Sequence, residues 1–331
     1  MEFKSLIDLK KEIHRQLSSR MSNNCVLLNT PDHINIGDQL IWQGEMDFLD
    51  SLNIQPSYIT SHFNFDWRDF SKDTLILLHG GGNFGDVWEG HNDFRIKVVE
   101  NYQDNRILIF PQSVEYNDEK LIVLDAKRYA VHKNVTICAR DQFSYNLLSK
   151  FFENEILLVP DMAFCMKLEK PNRGFKNRNL LLKRVDREIS SSFDYSSYSG
   201  FELRDWPSFD NTLFNFSHRV WEKLNRLWAR NLLSKKTKNT TFGLGVLRNK
   251  EWLIEKGIYF ISSYDLVVST RLHGHILALL LGVPTIMIDN SYGKNKRFFQ
   301  TWLKDIPESQ LVTSPEEMKV VLNKLKNERE S

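Results

Sequence analysis

The sequence predicts an α/β protein made of two doubly wound, Rossmann-like domains in tandem. Three observations carry this reading. Short, continuous apolar runs such as "NNCVLLN", "DTLILLH", "NRILIF" and "VPTIMID" recur along the chain. Helical stretches alternate with them, which is the pattern of parallel strands covered on both faces. A basic, polar segment broken by Pro and Gly, "LEKPNRGFKNRN", interrupts the alternation near residue 170. A length of 331 residues is itself more than one core usually supports.

The elements follow in order. "MEFKSLIDLKKEIHRQL" is an amphipathic helix, and "NNCVLLN" is a strand. "GDQLIWQGEMDFLDSLN" is a helix with Leu40, Ile41, Met46, Phe48 and Leu49 on its apolar face. "DTLILLHGGG" is a strand running into a glycine-rich turn, "FRIKVVENYQ" a helix and "NRILIFPQS" a strand. "NVTICARD" (strand), "QFSYNLLSKFF" (helix) and "EILLVPDMAF" (strand) complete a domain over 1–168. A second domain over 169–331 opens with the strand "NLLLKRVD". The Ser/Tyr/Asp-rich "SSFDYSSYSGFELRDWPSFDN" reads as an irregular loop. A helix near 243–256, a strand at "IYFISS" or "DLVVS", the helix "HGHILALLLG" and the strand "VPTIMID" follow. The last helix, from Pro315, is charged and is expected to fray or to pack back on the N-terminal domain. Two such domains place a cleft between them, with ligands at the carboxyl ends of the strands.

Composition removes several classes. A net charge of +2 gives no case for a nucleic-acid binder. The three cysteines, Cys25, Cys138 and Cys165, are odd in number and widely spaced, as free buried thiols are, and no zinc pattern contains them. The N-terminal stretch lacks the apolar centre of a signal peptide, and no uncharged run reaches the roughly 18 residues a membrane span needs. A cytoplasmic protein is expected.

The unusual residues gather at strand ends. In "NIGDQL", Gly37 and Asp38 lie between a strand and a helix. Helix amides there can meet an anion or a substrate hydroxyl, or Asp38 can simply cap the helix. In "LLHGGGNFGDVW", His79 ends a strand, and Gly80, Gly81, Gly82 and Asn83 offer either a backbone anion cradle or a tight turn. This is neither a dinucleotide nor a P-loop fingerprint. "FPQS" ends its strand with Gln112 and Ser113, and "CARD" with Arg140, which suits either ligand binding or a salt bridge to Asp141 or to a neighbouring strand end. In "VVSTRLHGHILALLLGVPTIMID", Arg271 leaves a strand and His273 opens an apolar helix, while His275 reads as packing. Two permanent cations, two titratable histidines and a glycine turn suit a small, multiply anionic ligand.

Taken in order, "NIGDQLI", "LLHGGGNFGD", "FPQS", "ARD..S", "VPDMAF" and "VSTRLHGHILALLLGVPTI" resemble the polysaccharide pyruvyl transferase family over roughly residues 25–300. The resemblance implies a GT-B-like pairing of the two domains with the active site in the cleft. It implies transfer of the enolpyruvyl unit of phosphoenolpyruvate to two hydroxyls of one sugar, in a polysaccharide or a lipid-linked oligosaccharide, with no further cofactor required; the residues themselves show no metal site. By motif, Arg271 and Arg140 hold the donor's anionic groups and His273 is the general acid at the methylene carbon. His79 binds donor phosphate or assists the acceptor, and Asp38 and Asn83 orient sugar hydroxyls or shape the turn. The stretch around 170–240 matches no motif and is where the acceptor is expected to be chosen.

Two other readings compete. A nucleotide-sugar glycosyltransferase would share the fold, with Asp289 and Asn290 as a grip on the nucleoside. A membrane-associated assembly factor is suggested by "SHRVWEKLNRLWARNLLSKKTK", 217–238, a basic helix bearing Trp221 and Trp228 that suits either an anionic lipid surface or its own domain.

Overall fold

The computed structural model describes residues 3–87, 90–169, 177–184, 200–210, 220, 250–290 and 293–330, with side chains described to 325. The segment 217–238, apart from residue 220, lies outside the described residues, as does most of 170–240. The chain divides into two compact units. One comprises 7–167 together with 208–255, and the other 1–6, 168–207 and 256–331.

The first unit holds a parallel sheet of strands β1 (Cys25–Leu28), β2 (Tyr58–Thr60), β3 (Leu75–Leu78), β4 (Gly81–Gly85), β5 (Ile107–Glu115), β6 (Val135–Ala139) and β7 (Glu155–Leu158). Its order is β2-β1-β3-β5-β6-β7, with β4 alongside the far end of β5. Helices α1 (Leu6–Leu17), α2 (Ile36–Ser51), α3 (His91–Asn101), α4 (Glu119–Tyr129) and α5 (Gln142–Phe151) accompany it. Every residue of β1 and β3 is buried, which is why they read as unbroken apolar runs. Asn35, Asp118 and Asp141 cap α2, α4 and α5 through side-chain oxygens. Side chains from the central strands and beyond, among them Ile76, Ile109, Ile137, Phe84 and Phe152, form one core.

Chain order in this sheet reverses between β1 and β3. Strand β1 leads outward to β2, and β3 starts the series on the other side. The gap at their carboxyl ends is the switch point where ligands of doubly wound sheets bind.

The second unit repeats the arrangement with β8 (Asn179–Leu182), β9 (Phe201–Arg204), β10 (Leu266–Ser269), β11 (Thr285–Ile288) and β12 (Ser309–Val312), all parallel, in the order β12-β11-β10-β8-β9. Its switch point lies between β8 and β10. Helix α6 spans 250–262, α7 Leu272–Leu281, α8 Lys294–Phe298 and α9 Pro315–Glu330. Gly282, at φ 67°, ends α7 in the left-handed conformation that favours glycine.

Three local expectations are corrected. The glycine run is not only a turn, because Gly81–Gly85 forms a strand whose register slips between Gly81 and Phe84. The Ser/Tyr-rich segment contains strand β9, and "IYFISS" is the body of α6 rather than a strand. Helix α9 packs on its own unit's core through Met318, Val321, Leu322 and Leu325. The units also trade short pieces of chain. Phe3 rests on Trp302 at 5.1 Å between ring centroids, and Lys250 sits over the Trp42 ring at 4.8 Å.

All three cysteines are free and buried. Burial pushes Cys25 to about 11 and Cys165 to about 12, and raises Cys138 as well, so none is a thiolate near neutrality. Among the described residues no helix is long and apolar enough to cross a membrane.

Candidate functional site

In the first unit the switch point is organised around His79, the residue after β3. Its side chain is 3% exposed, and Nδ1 lies 2.8 Å from Oε2 of Glu45, whose side chain is 0% exposed. The other carboxylate oxygen, Oε1, accepts the backbone N–H of Gly80 at 2.7 Å. Helix α2 delivers Glu45 because Gly44 beside it lets the helix lie directly on Met162, where a Cβ would fall 1.9 Å from the Met162 carbonyl oxygen. The Gln112 amide donates to the His79 carbonyl at 2.7 Å, fixing the strand end from the other side.

Around this centre several predicted residues are part of the frame. Gln112 is fully buried, and its Oε1 faces Arg95 Nη2 at 3.4 Å. Arg95 also donates to the Asn83 carbonyl at 3.2 Å and to Asn83 Oδ1, and it stands over the Phe84 ring. Burial lowers this guanidinium to about 10, still charged at neutral pH. Ser113 donates to Asp141 at 2.9 Å and accepts from Arg140 Nε at 2.8 Å. Arg140, 2% exposed, donates through Nη1 to the equally buried Asp161 at 2.8 Å. Asp161 in turn caps the short turn at Met162 through the Ala163 amide. Gln112 and Ser113 thus brace the ends of β5 and β6. Arg140 pairs with Asp161, just past the neighbouring strand β7. The Gly80 amide is engaged by Glu45.

Beside this frame lies a more open polar patch. Asn35, not Asp38, caps α2 by accepting from the Gly37 amide at 3.2 Å, so that amide is also spoken for. Asn35 Nδ2 donates to Asp38 Oδ2 at 2.8 Å, and His33 Nε2 approaches the same oxygen at 3.5 Å. His91 faces Asn29 at 3.3 Å and packs near His62, at 4.6 Å between rings. Burial, aided by the Arg95 cation, lowers His91 to about 3, so it is neutral at physiological pH. Phe63 stacks on His62 at 3.8 Å and remains largely exposed.

In the second unit the switch point carries Arg271. Its Nη2 donates to Asp205 Oδ2 at 2.7 Å and its Nε to Oδ1 of the same carboxylate, a two-point fork with side chains only 8% and 6% exposed. The backbone is fixed by Ser269, whose Oγ accepts the Arg271 amide at 3.0 Å and donates to the Arg271 carbonyl at 2.7 Å. Thr270 Oγ1 ties β10 to β8 by donating to the Leu182 carbonyl and accepting the Arg184 amide. His273, half-buried, stands in the first turn of α7, where the helix favours negative charge. His275 is fully buried between Thr285 Oγ1 at 3.0 Å and Ser309 Oγ at 2.7 Å, and burial lowers it to about 3. It is packing, as expected.

Sequence reasoning missed Glu45, Arg95, Asp161 and Asp205. Only Glu45 left a usable signal, since it stands on the apolar face of α2 four residues after Ile41 and three before Phe48, where a carboxylate is costly unless paired.

The family model described as "Polysaccharide pyruvyl transferase" matches residues 35–292. EpsO of Bacillus subtilis, which bears a pyruvyl transferase name, is 31% identical over 313 residues, covering 93% of this chain and 94% of that protein. Pyruvyl transferase 1 of Schizosaccharomyces pombe is 33% identical over 292 residues, covering 84% of this chain and 69% of that one. A crystal structure of a functionally uncharacterised Klebsiella pneumoniae protein shares the fold at a TM-score of 0.58, with 18% identity, covering 92% of this chain and 98% of that chain.

Proposed function

Because the chain belongs to the polysaccharide pyruvyl transferase family, we propose that it takes the pyruvyl unit from phosphoenolpyruvate and builds a cyclic ketal on two hydroxyls of a sugar. The observation that supports this most is the Arg271–His273 pair at the second unit's switch point. There a guanidinium forked onto Asp205, a histidine and a helix N-terminus come together at one strand end.

The chemistry asks for three things. The donor's carboxylate and phosphate need cations, and Arg271 and Arg140 are the assigned ones. The methylene carbon must gain a proton as a sugar hydroxyl attacks C2, and His273 is the assigned acid. The attacking hydroxyl must lose a proton, and His79, with Nε2 left for the acceptor, is the assigned base. The second hydroxyl then displaces phosphate, to which its proton passes, and the ring closes. Asp38, Asn83 and the Gly81–Gly82 stretch are assigned to the acceptor's hydroxyls. The acceptor belongs to a polysaccharide or to its lipid-linked precursor, and the reaction takes place in the cytoplasm.

Incubation with phosphoenolpyruvate and a panel of sugar acceptors tests the reading. Acceptor-dependent phosphate release with a ketal on the sugar is the expected result. Release of a nucleoside diphosphate from a sugar nucleotide would favour glycosyl transfer instead.

A further inference from the structure

We infer that Glu45 is a positioning residue that fixes the tautomer of His79 and so makes Nε2 the atom that exchanges the proton. The inference rests on the reading above that His79 serves the acceptor, and it adds a residue and a mechanism to it.

An ionised carboxylate accepts hydrogen bonds and donates none. With Oε2 of Glu45 at 2.8 Å, the carboxylate form of Glu45 places the ring hydrogen on Nδ1, and that is the inferred tautomer. The neutral ring then has its lone pair on Nε2, which has no hydrogen-bond partner among the described residues. Three contacts hold this arrangement rigid. The Gly80 N–H engages Oε1 at 2.7 Å and stops the carboxylate from rotating. Gln112 anchors the His79 carbonyl at 2.7 Å. A Cβ at Gly80 would come 2.9 Å from the Pro111 carbonyl oxygen and 3.3 Å from Oε1, so the strand lies against the carboxylate as closely as glycine allows.

The placement of Glu45 argues against a purely structural part. It sits on the inner face of an α2 whose neighbouring positions are Ile41, Phe48 and Leu49, all buried. An apolar side chain there would avoid the desolvation of a charge. A histidine pinned at Nδ1 by a buried carboxylate is the general solution for presenting Nε2 as a proton carrier.

Glu45→Gln tests this through a forced geometry. The Gly80 N–H still needs an acceptor, so the glutamine carbonyl must take the Oε1 place. Its NH2 group then faces Nδ1 and can only donate. His79 is driven to the opposite tautomer, with the hydrogen on Nε2 and no base left for the acceptor.

The measurement is the nitrogen chemical shifts and long-range couplings of 15N-histidine-labelled protein with the ring neutral, alongside turnover of phosphoenolpyruvate with acceptor. Wild type is expected to show His79 hydrogen-bearing at Nδ1 and E45Q at Nε2. Turnover number should fall about 100-fold, the scale of one acid–base contribution, with the KM for phosphoenolpyruvate nearly unchanged. An Nε2–H tautomer in wild type overturns the inference, and that spectrum needs no variant to fold. A tautomer unchanged in E45Q, or one reversed without loss of turnover, overturns it as well. If wild type turns over no acceptor, the spectra still decide the part of Glu45, and the failure belongs to the reaction class.

Discussion

Arg271 carries the largest local consequence of a single side chain. Its fork is matched by both oxygens of Asp205 inside the protein, so the pair is a unit. Asp205→Asn removes the carboxylate charge that this fork holds in a nearly dry place. It is expected to destabilise the protein by about 3 kcal/mol, read from denaturant unfolding, and loss below a few tenths would show that the pair is solvated. His275 gives a pH prediction. Its folded-state pKa lies near 3 against an ordinary 6.5. The unfolded chain therefore binds a proton below 6.5 that the folded chain refuses, and the stability this ring gives is complete above 6.5 and is lost as pH falls towards 3. Between pH 7 and 5 the loss is about 2 kcal/mol. The stability gap between wild type and His275→Gln should narrow by that amount over the same interval, and a gap independent of pH contradicts the buried, neutral ring.

At the scale of elements, α2 is the critical part, because it delivers Glu45 to His79 and lies on the turn Met162–Cys165. Gly44→Ala puts a methyl 1.9 Å from the Met162 carbonyl oxygen, which is backbone and cannot swing away. A cost of about 3 kcal/mol or more is expected, measured as a lowered thermal midpoint, and an unchanged midpoint would show that α2 can shift. Elements also show what the sequence reveals. Strands β1 and β3 are legible because burial on both faces makes them uniformly apolar, and β5 and β11 because of their apolar runs Ile107–Phe110 and Ile286–Ile288. Strand β4 is illegible because its residues are mostly glycine, and its strand character comes from pairing with β5. Strand β9 hides among Ser and Tyr for a similar reason, being held by β8. The run "IYFISS" is apolar and β-branched, which periodicity alone does not assign.

Across the whole molecule, both sheets reverse their strand order, and the chemically distinctive residues fall at those reversals, His79 in one unit and Arg271 in the other. The motif residues were visible in the sequence because strand ends turn abruptly from apolar to polar. Their partners were not, because Glu45 pairs across 34 positions and Asp205 across 66, distances over which no local pattern carries information. The polar residues at the end of β5, Gln112 and Ser113, bond within the frame. The account as a whole stands on enolpyruvyl transfer with protonation of the methylene carbon. Its most direct test is the reaction with phosphoenolpyruvate and a competent sugar acceptor in deuterated water, with the product's pyruvyl methyl group examined by mass spectrometry and NMR. A cyclic ketal whose methyl carries a solvent deuteron, formed together with inorganic phosphate, is the predicted result. A product that gains a sugar, or phosphate released as free pyruvate forms with no ketal on any acceptor, would contradict it.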